Sequence, residues 1–336
     1  LSRGLGDVYK RQLLRRAAPE RRVARVARRE RDAREALARS LPPLEDRIVF
    51  VDLSATQRRL YDAFLETKAA RRAASSNRRG TDALGAAGAL RLLCCHPALW
   101  DRGEAAGDAL EPSIVEAAAA LLPARDEEPR ARDDDAGAKV AFLRAALPAL
   151  AARGERVVVA SGYVSALRLV ARLLRDLGLS HCRVDGSTSA DARARAVGAF
   201  AAGAAEAAAG RGEPPPPAVL LLSSRAGGAG LNLPGACVLI LLEPDWNPAV
   251  DDQTCARVWR PGQGRRTRVL RLAAAGTLEE TVLARQAEKQ ALWRAAGVGG
   301  HGAPPRDGAA LARGLFAPAW RTADAPDARR ARGPPG

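Results

Sequence analysis

The stretch LLSSRAGGAGLNLPGACVLILLEPDWNPAVDDQTCARVWRPGQG, residues 221–264, joins short apolar runs to glycine-rich and polar segments. The apolar runs at 219–223 and 237–242 have the length of buried β-strands. A loop with three glycines follows the first run, and a polar helix that begins near residue 248 follows the second. Buried strands that alternate with helices predict a parallel sheet covered by helices on both faces, with functional loops at the carboxyl ends of its strands.

The same alternation of strand and helix extends over most of the chain on either side of this stretch. Pro42 and Pro43 end an arginine-rich beginning, and Ser54 and Thr277 have the positions of helix N-caps, Thr277 forming a capping box with Glu280. We expect loops at 68–88 and over the proline-rich insert 201–217. Together these patterns predict strands at 47–53, 156–160, 181–184, 219–223, 237–242 and 268–272, and helices after Ser54 and at 89–95, 140–150, 164–177, 190–200 and 277–296.

Charge and composition divide the chain into four regions. The chain has 336 residues and a net charge of +15, which favours a nucleic-acid partner, but much of the excess lies at 1–40. We expect disorder, or an artefactual start, at 1–40 and a disordered tail at 298–336, and we assign 41–135 to a helical inter-lobe region and 136–297 to the main α/β lobe. The five cysteines and three histidines lack zinc-site spacing, and no apolar run has the length of a membrane span.

One helix of the quoted stretch carries the strongest chemical signal. Gln253 and Arg257 are four residues apart and Arg260 follows three later, so on a continuous helix all three share a face. Two guanidinium groups and an amide on one face suit a phosphate chain. A solvated basic face is the alternative, and a glycine-rich loop alone is equally compatible with a tight turn.

The order of the motifs resembles the second lobe of SWI/SNF-family DNA-translocating ATPases within helicase superfamily two. The helix is similar to motif VI, Q-x-x-x-R-x-x-R-x-G-Q, and the loop 223–232 with the following Pro-Asp-Trp-Asn-Pro is similar to motif V of that branch. Asp-Gly-Ser-Thr at 185–188, Leu-Leu-Cys-Cys-His-Pro-Ala-Leu at 92–99 and Gly-Thr-Leu-Glu-Glu at 276–280 match further family segments. Arg-Val-Trp-Arg before Gly-Gln is most similar to the recombination-repair translocases.

This resemblance implies a RecA-like parallel sheet with a helical N-terminal extension, and a role for each matching residue. The resemblance implies catalytic roles for Arg257 and Arg260, as arginine fingers, and for Gln253. It implies cofactor contacts at Gly228, Gly230, Asn232 and Gln263, and DNA-backbone contacts at Ser187, Thr188, Ser224, Arg225 and Gly227.

The family also implies ATP and Mg²⁺, both held mainly by a first motor lobe of the same polypeptide. Its other implied partners are double-stranded DNA and a strand-exchange recombinase, in the nucleus and without a membrane. The chain contains no G-x-x-x-x-G-K-[ST] loop, so we expect that lobe to precede residue 1 and this fragment alone to be inactive.

Several residues depart from the family pattern, among them Thr254, which replaces a usual alanine, and Pro261 inside the R-x-G-Q turn, and alternative interpretations stay open. Arg225 stands where lysine is usual, and Gly162 stands where glutamine is common. Trp246 is either ordinary packing or a wedge that couples the two lobes. An isolated, non-catalytic module that binds DNA or a protein partner explains the missing phosphate loop, whereas an RNA helicase is disfavoured by the Pro-Asp-Trp-Asn-Pro run.

Overall fold

The structure is a computed structural model that describes residues 41–67, 70, 81–100, 137–209, 217–225 and 231–295. The expectations for 1–40 and 298–336, and the structure of the loop that carries Gly227, Gly228 and Gly230, lie outside these residues. Within the described residues no helix combines the length and the apolarity needed to cross a membrane.

Six strands form one sheet in which all neighbours run parallel. The order across the sheet is β1-β6-β5-β2-β4-β3, so the predicted parallel sheet is confirmed. The strands are β1 (Leu44–Val51), β2 (Val157–Ser161), β3 (His181–Val184), β4 (Val219–Ser223), β5 (Val238–Leu241) and β6 (Thr267–Ala274).

Helices flank the sheet on both faces and connect its strands. Their bounds are α1 (Ala55–Leu65), α2 (Thr81–Cys95), α3 (Ala138–Ala152), α4 (Val164–Asp176), α5 (Ala190–Ala209), α6 (Pro248–Val258) and α7 (Leu278–Ala295). The predicted N-cap of α1 is confirmed, because the Ser54 hydroxyl oxygen accepts from the Gln57 amide at 3.1 Å while the Gln57 side chain accepts from the Ser54 amide.

The two faces of the central strands belong to two separate hydrophobic cores. Val157 and Val159 of β2 pack into the core under α1, α2, α3, α4 and α7, whereas Val158 packs with Phe200 of α5 and Val258 of α6. Every residue of β2, β4 and β5 is buried. Burial of one such aliphatic side chain contributes about 1.5–3 kcal/mol, so the apolar runs define the centre of the sheet.

Two predicted loops are partly helical. Helix α2 begins at Thr81 inside the predicted loop 68–88, and its buried Leu90, Leu92 and Leu93 anchor it to the first core. Helix α5 continues to Ala209 inside the predicted insert 201–217, because its alanine-rich sequence has high helix propensity.

Strand β1 belongs to the same sheet as the main lobe. It was assigned by sequence to the inter-lobe region 41–135, yet Leu44 to Val51 pair in register with Thr267 to Ala274 of β6. A segment separated from β6 by more than half of the chain therefore completes one edge of the sheet.

A buried ion pair joins α3 to α7 beneath the sheet. Lys139 Nζ lies 2.7 Å from Glu279 Oε1, and both side chains are 0% exposed. Lys139 also donates to the Leu242 carbonyl oxygen at 2.6 Å, and the other oxygen of Glu279 accepts from the Ala274 amide at 2.7 Å. Glu279, rather than Glu280 of the predicted capping box, therefore turns inward at the start of α7.

Candidate functional site

The carboxyl ends of two neighbouring strands, β4 and β3, place the DNA-contact candidates on one side of the sheet. Strands β4 and β3 are adjacent and parallel, so the residues that follow them lie on that same side. Ser224 and Arg225 follow β4, and Ser187 and Thr188 follow β3. Arg225 and Ser187 are exposed, and Ser224 and Thr188 are half-buried. These four candidates are therefore placed on neighbouring strands, as a shared backbone contact requires.

The turn after β3 is fixed by the buried carboxylate of Asp185. Its Oδ1 accepts from the Ser187 hydroxyl at 2.6 Å and from the Ser187 amide at 3.0 Å. The Asp185 amide donates to the Thr188 hydroxyl oxygen at 3.0 Å, and Arg183 Nε lies 3.0 Å from Asp185 Oδ2. The hydrogen bond from Ser187 is the main cause that lowers the pKa of Asp185. A rigid, negatively charged anchor thus holds two hydroxyl-bearing residues on this side of the sheet.

A second cluster of polar side chains lies between the carboxyl ends of the adjacent strands β2 and β5. The chain connections from these two strands lead towards opposite ends of the sheet. Helix α4 after β2 packs in one core and α6 after β5 packs in the other, so this is the topological switch point of the sheet, where α/β proteins commonly bind ligands. Glu243 Oε1 accepts from the Ser161 hydroxyl at 2.9 Å and from the Gly162 amide at 2.6 Å. Burial raises the pKa of Glu243, and the charges of Arg91 and Lys139 oppose that effect.

Two arginines surround an aromatic ring at the same point. The guanidinium carbon of Arg91 lies 5.4 Å from the centroid of Tyr163, and that of Arg225 lies 5.7 Å from it. Arg91 is 2% exposed and donates to the Pro244 carbonyl oxygen. Sequence reasoning missed Arg91, Tyr163 and the role of Glu243. For Glu243 a signal existed, because it is an acidic residue that directly follows an apolar strand.

The predicted shared face of the motif VI residues is wrong. Helix α6 ends at Val258, and Trp259 has an extended backbone with φ −94° and ψ 91°, so Arg260 lies beyond the helix. Gln253 is exposed, Arg257 is only 4% exposed and Arg260 is half-buried. Pro261 follows Arg260 and disfavours helical backbone at that residue, which explains the early end. The structure thus distributes the three side chains over different environments.

The buried position of Arg257 differs from the expected outward-pointing finger. Burial lowers the pKa of Arg257, and the nearby positive charge of Arg193 lowers it further. Arg193 also donates to the Thr188 carbonyl oxygen at 3.3 Å. Among the described residues, the buried Nε groups of Arg193 and Arg260 have no hydrogen-bond acceptor. These unsatisfied donors suit the oxygens of a phosphate group.

The remaining cofactor candidates have different surroundings. Gln263 is 7% exposed, and its amide nitrogen donates to the carbonyl oxygens of Ala236 at 2.6 Å and Val258 at 3.2 Å. Its side-chain oxygen accepts from the Arg265 amide at 2.9 Å, so the side chain supports the turn after α6. Asn232 is exposed.

Trp246 is half-buried and packs against the larger core. Lys289 of α7 donates to its carbonyl oxygen at 3.2 Å. These contacts favour the packing interpretation of the tryptophan.

Comparison with known families matches residues 138–262 to the helicase conserved C-terminal domain. The chain is 32% identical to the DNA repair and recombination protein RAD54B of Gallus gallus over 78% of this chain and 28% of that protein. It is 34% identical to the DNA repair protein rhp54 of Schizosaccharomyces pombe over 78% of this chain and 29% of that protein. The chain therefore spans less than a third of the length of these two relatives.

Two solved structures share the fold. The C-terminal part of the Fun30 ATPase domain superposes with a TM-score of 0.54 at 20% identity, covering 73% of this chain and 88% of that structure. The Sulfolobus solfataricus SWI2/SNF2 ATPase core in complex with double-stranded DNA gives a TM-score of 0.53 at 21% identity, covering 78% of this chain and 47% of that structure. The chain therefore contains a helicase conserved C-terminal domain, is similar over most of its length to Rad54-type DNA repair proteins, and shares the fold of solved SWI2/SNF2 ATPase structures.

Proposed function

We propose that this chain is the second motor lobe of an ATP-dependent translocase on double-stranded DNA, acting in recombinational repair or chromatin remodelling. The observation that carries the proposal is the placement of the Asp185–Thr188 turn and Arg225 on one side of the sheet. The DNA repair names of the relatives and the DNA in the Sulfolobus complex support it.

On this side of the sheet, Ser187, Thr188, Ser224 and Arg225 contact backbone phosphates in this proposal. Hydroxyl groups and an exposed guanidinium bind phosphate oxygens without reading bases. Such contacts release counterions, so DNA affinity decreases as salt concentration rises. This behaviour suits a motor that moves along any sequence.

The positive charge for ATP hydrolysis comes from Arg257 and Arg260 in this proposal, with Gln253 beside them. ATP and Mg²⁺, held mainly by the first lobe, supply the reactive phosphoryl group and the neutralising metal charge. Arg260 has a buried Nε without an acceptor in the described part of the chain. Arg257 is buried in this lobe, so its side chain must change position to reach a triphosphate.

Arg193 links the two sites in the proposal. It donates to Thr188 in the DNA-contact turn, and its charge acts on Arg257. A change in the turn therefore alters the electrostatic surroundings of Arg257. This link gives DNA binding a physical route to the hydrolytic arginines.

The decisive experiment joins the first lobe of the Sulfolobus core to this chain and measures DNA-stimulated ATP hydrolysis. Arg257→Ala and Arg260→Ala each reduce turnover by about 10³-fold or more, the range that an arginine finger provides, while affinity for DNA stays close to that of the unmodified fusion. Arg266→Ala, an exposed arginine before β6, is the matched control and retains turnover. Near-normal hydrolysis by Arg257→Ala refutes its finger role.

A second candidate function is a binding module that holds DNA or a protein partner without hydrolysis. The missing phosphate-loop motif favours it for this chain alone. Duplex binding by the isolated chain, together with no DNA-stimulated hydrolysis in the fusion, supports the module over the motor. We also propose a nuclear location and a strand-exchange recombinase as a partner, by analogy with the DNA repair and recombination names of the relatives, and co-purification from nuclear extract tests the partner.

A further inference from the structure

In the described part of the chain, the exposed Arg225 packs on an aromatic ring and forms no ion pair with a carboxylate. Its guanidinium carbon lies 5.7 Å from the Tyr163 ring centroid, within the distance at which a cation is attracted to the electron-rich face of a ring. A carboxylate partner would neutralise the charge, whereas a ring orients the guanidinium and leaves its donors available for an anion. The geometry therefore favours a positioned phosphate ligand over a structural ion pair.

Buried groups hold the Tyr163 ring in place. The buried Arg91 lies 5.4 Å from the Tyr163 centroid and donates to the Pro244 carbonyl oxygen. The Tyr163 amide donates to the Ser161 hydroxyl oxygen at 3.0 Å, and Ser161 donates to the buried Glu243. A chain of buried contacts therefore sets the place of the ring, and the ring sets the place of the arginine.

Gly162 leaves the space that Arg225 occupies. A Cβ atom placed on Gly162 lies 3.5 Å from Arg225 Nε, 3.5 Å from Glu243 Oε1 and 3.6 Å from Ser224 Oγ. These are ordinary contact distances, so alanine fits, but a longer side chain competes with the guanidinium for the same space. Glycine at 162 and arginine at 225 thus form a matched pair.

We propose that Tyr163 is a positioning residue for the DNA contact of Arg225, and that Gly162 makes room for that arrangement. The inference rests on the proposed function, because it needs Arg225 to bind a DNA phosphate. Tyr163 acts only through Arg225 and contacts no phosphate. Loss of the ring therefore matters only while Arg225 is present.

The test is a double-mutant cycle on the 336-residue chain. The affinity for a short fluorescein-labelled DNA duplex is measured by anisotropy over a series of KCl concentrations. Arg225→Ala weakens binding and reduces the slope of log affinity against log salt by about one. Tyr163→Leu weakens binding about two- to fivefold, the equivalent of an exposed cation–π contact, and Tyr163→Phe retains wild-type affinity because the ring remains.

The effect of Tyr163→Leu in the Arg225→Ala chain distinguishes a tyrosine that positions Arg225 from one that stabilises the DNA-binding surface in general. In the Arg225→Ala chain, Tyr163→Leu has no further effect on affinity if the tyrosine acts through the arginine. An equal loss in both backgrounds overturns the positioning role while the proposed DNA contact stands. If Arg225→Ala leaves affinity and salt slope unchanged, the proposed DNA contact itself fails, and the inference fails with it.

A substitution at Gly162 tests the position of Arg225 without changing the Tyr163 ring. The φ angle of Gly162 is not among the positive values of this chain, so its backbone accepts other residues. Gly162→Gln weakens DNA binding about two- to fivefold with Arg225 present and has no effect in the Arg225→Ala chain, whereas Gly162→Ala retains wild-type affinity. Unchanged affinity in Gly162→Gln contradicts the matched pair, even if Tyr163→Leu does not fold.

Discussion

Replacement of Glu279 by glutamine should destabilise the lobe more than any other single neutralisation on α7. The substitution removes one negative charge and preserves side-chain size. It leaves the Lys139 ammonium buried without its negative partner, and the single carbonyl oxygen of glutamine replaces two carboxylate oxygens, one of which accepts from Lys139 and the other from the Ala274 amide. Burial is the largest single influence on the pKa of Lys139 and lowers it, but attraction to Glu279 and the smaller contributions of Cys95, Cys94 and the Glu279 hydrogen bond together raise it above its usual value, so the lysine is charged at pH 7.

The expected cost follows from the complete burial of both partners. Both side chains are 0% exposed, so water does not screen the lost charge. Breaking a buried pair by removing one partner costs about 3–5 kcal/mol. That is a large part of the about 5–15 kcal/mol that stabilises a typical domain, so the variant is folded but close to its limit.

Urea unfolding of the 336-residue chain, followed by circular dichroism, measures this cost. Glu280→Gln, the same change at the half-buried neighbouring position, is the control and shifts the free energy of unfolding by about 0.5 kcal/mol or less. Lys139→Met combined with Glu279→Leu recovers part of the loss, because an apolar pair leaves no buried charge, whereas the Leu242 carbonyl oxygen and the Ala274 amide lose their side-chain partners. A Glu279→Gln cost equal to that of Glu280→Gln would falsify the argument.

Three further predictions concern buried polar groups. Burial lowers the pKa of His96 to about 4, so the unfolded chain binds a proton at this residue more readily than the folded chain. The free energy of unfolding therefore falls as pH drops from about 6.5 towards 4, by up to about 1.4 kcal/mol per pH unit. His96→Asn removes this pH dependence in urea titrations, and an unchanged pH dependence in the variant refutes the prediction. Burial raises the pKa of the half-buried Cys182 thiol to about 11, and the other four cysteines are buried; we expect Ellman's reagent to label one thiol at most in the native chain and five in urea, and rapid native labelling of several contradicts this. Gln263→Leu lowers the free energy of unfolding by about 1–3 kcal/mol, because buried acceptors lose their donor, while the turnover of the folded fusion is retained; lost turnover at unchanged stability favours the cofactor role.

The sequence predicted the central strands closely because burial on both faces leaves an unmistakable apolar run. The predicted run at 219–223 coincides with β4, and the predicted run at 156–160 differs by one residue from β2, Val157–Ser161. The ends of helices were harder to predict, since they depend on tertiary contacts. Alanine-rich residues after Phe200 continue α5 to Ala209, although their composition suggested an irregular insert.

The sequence selected candidate site residues by type and spacing but could not give the environment of each side chain. Spacing placed Arg257 and Arg260 on one face, and the end of α6 at Val258 separates them. Spacing also cannot show that Arg257 is buried, because the covering residues come from elsewhere in the chain. Tyr163 and Arg91 meet across 72 positions of sequence, and neither belongs to a pattern that a single chain reveals.

The place of β1 at the edge of the sheet has a practical consequence for recombinant production of this lobe. The family match covers residues 138–262, so a truncation chosen from that match would omit both β1 and β6 and leave the backbone amide and carbonyl groups of β5 open to other chains. Open edges of this kind template intermolecular pairing and precipitation. A soluble truncation therefore begins at or before residue 41 and retains the eight residue pairs, from Leu44 with Thr267 to Val51 with Ala274, that close this edge.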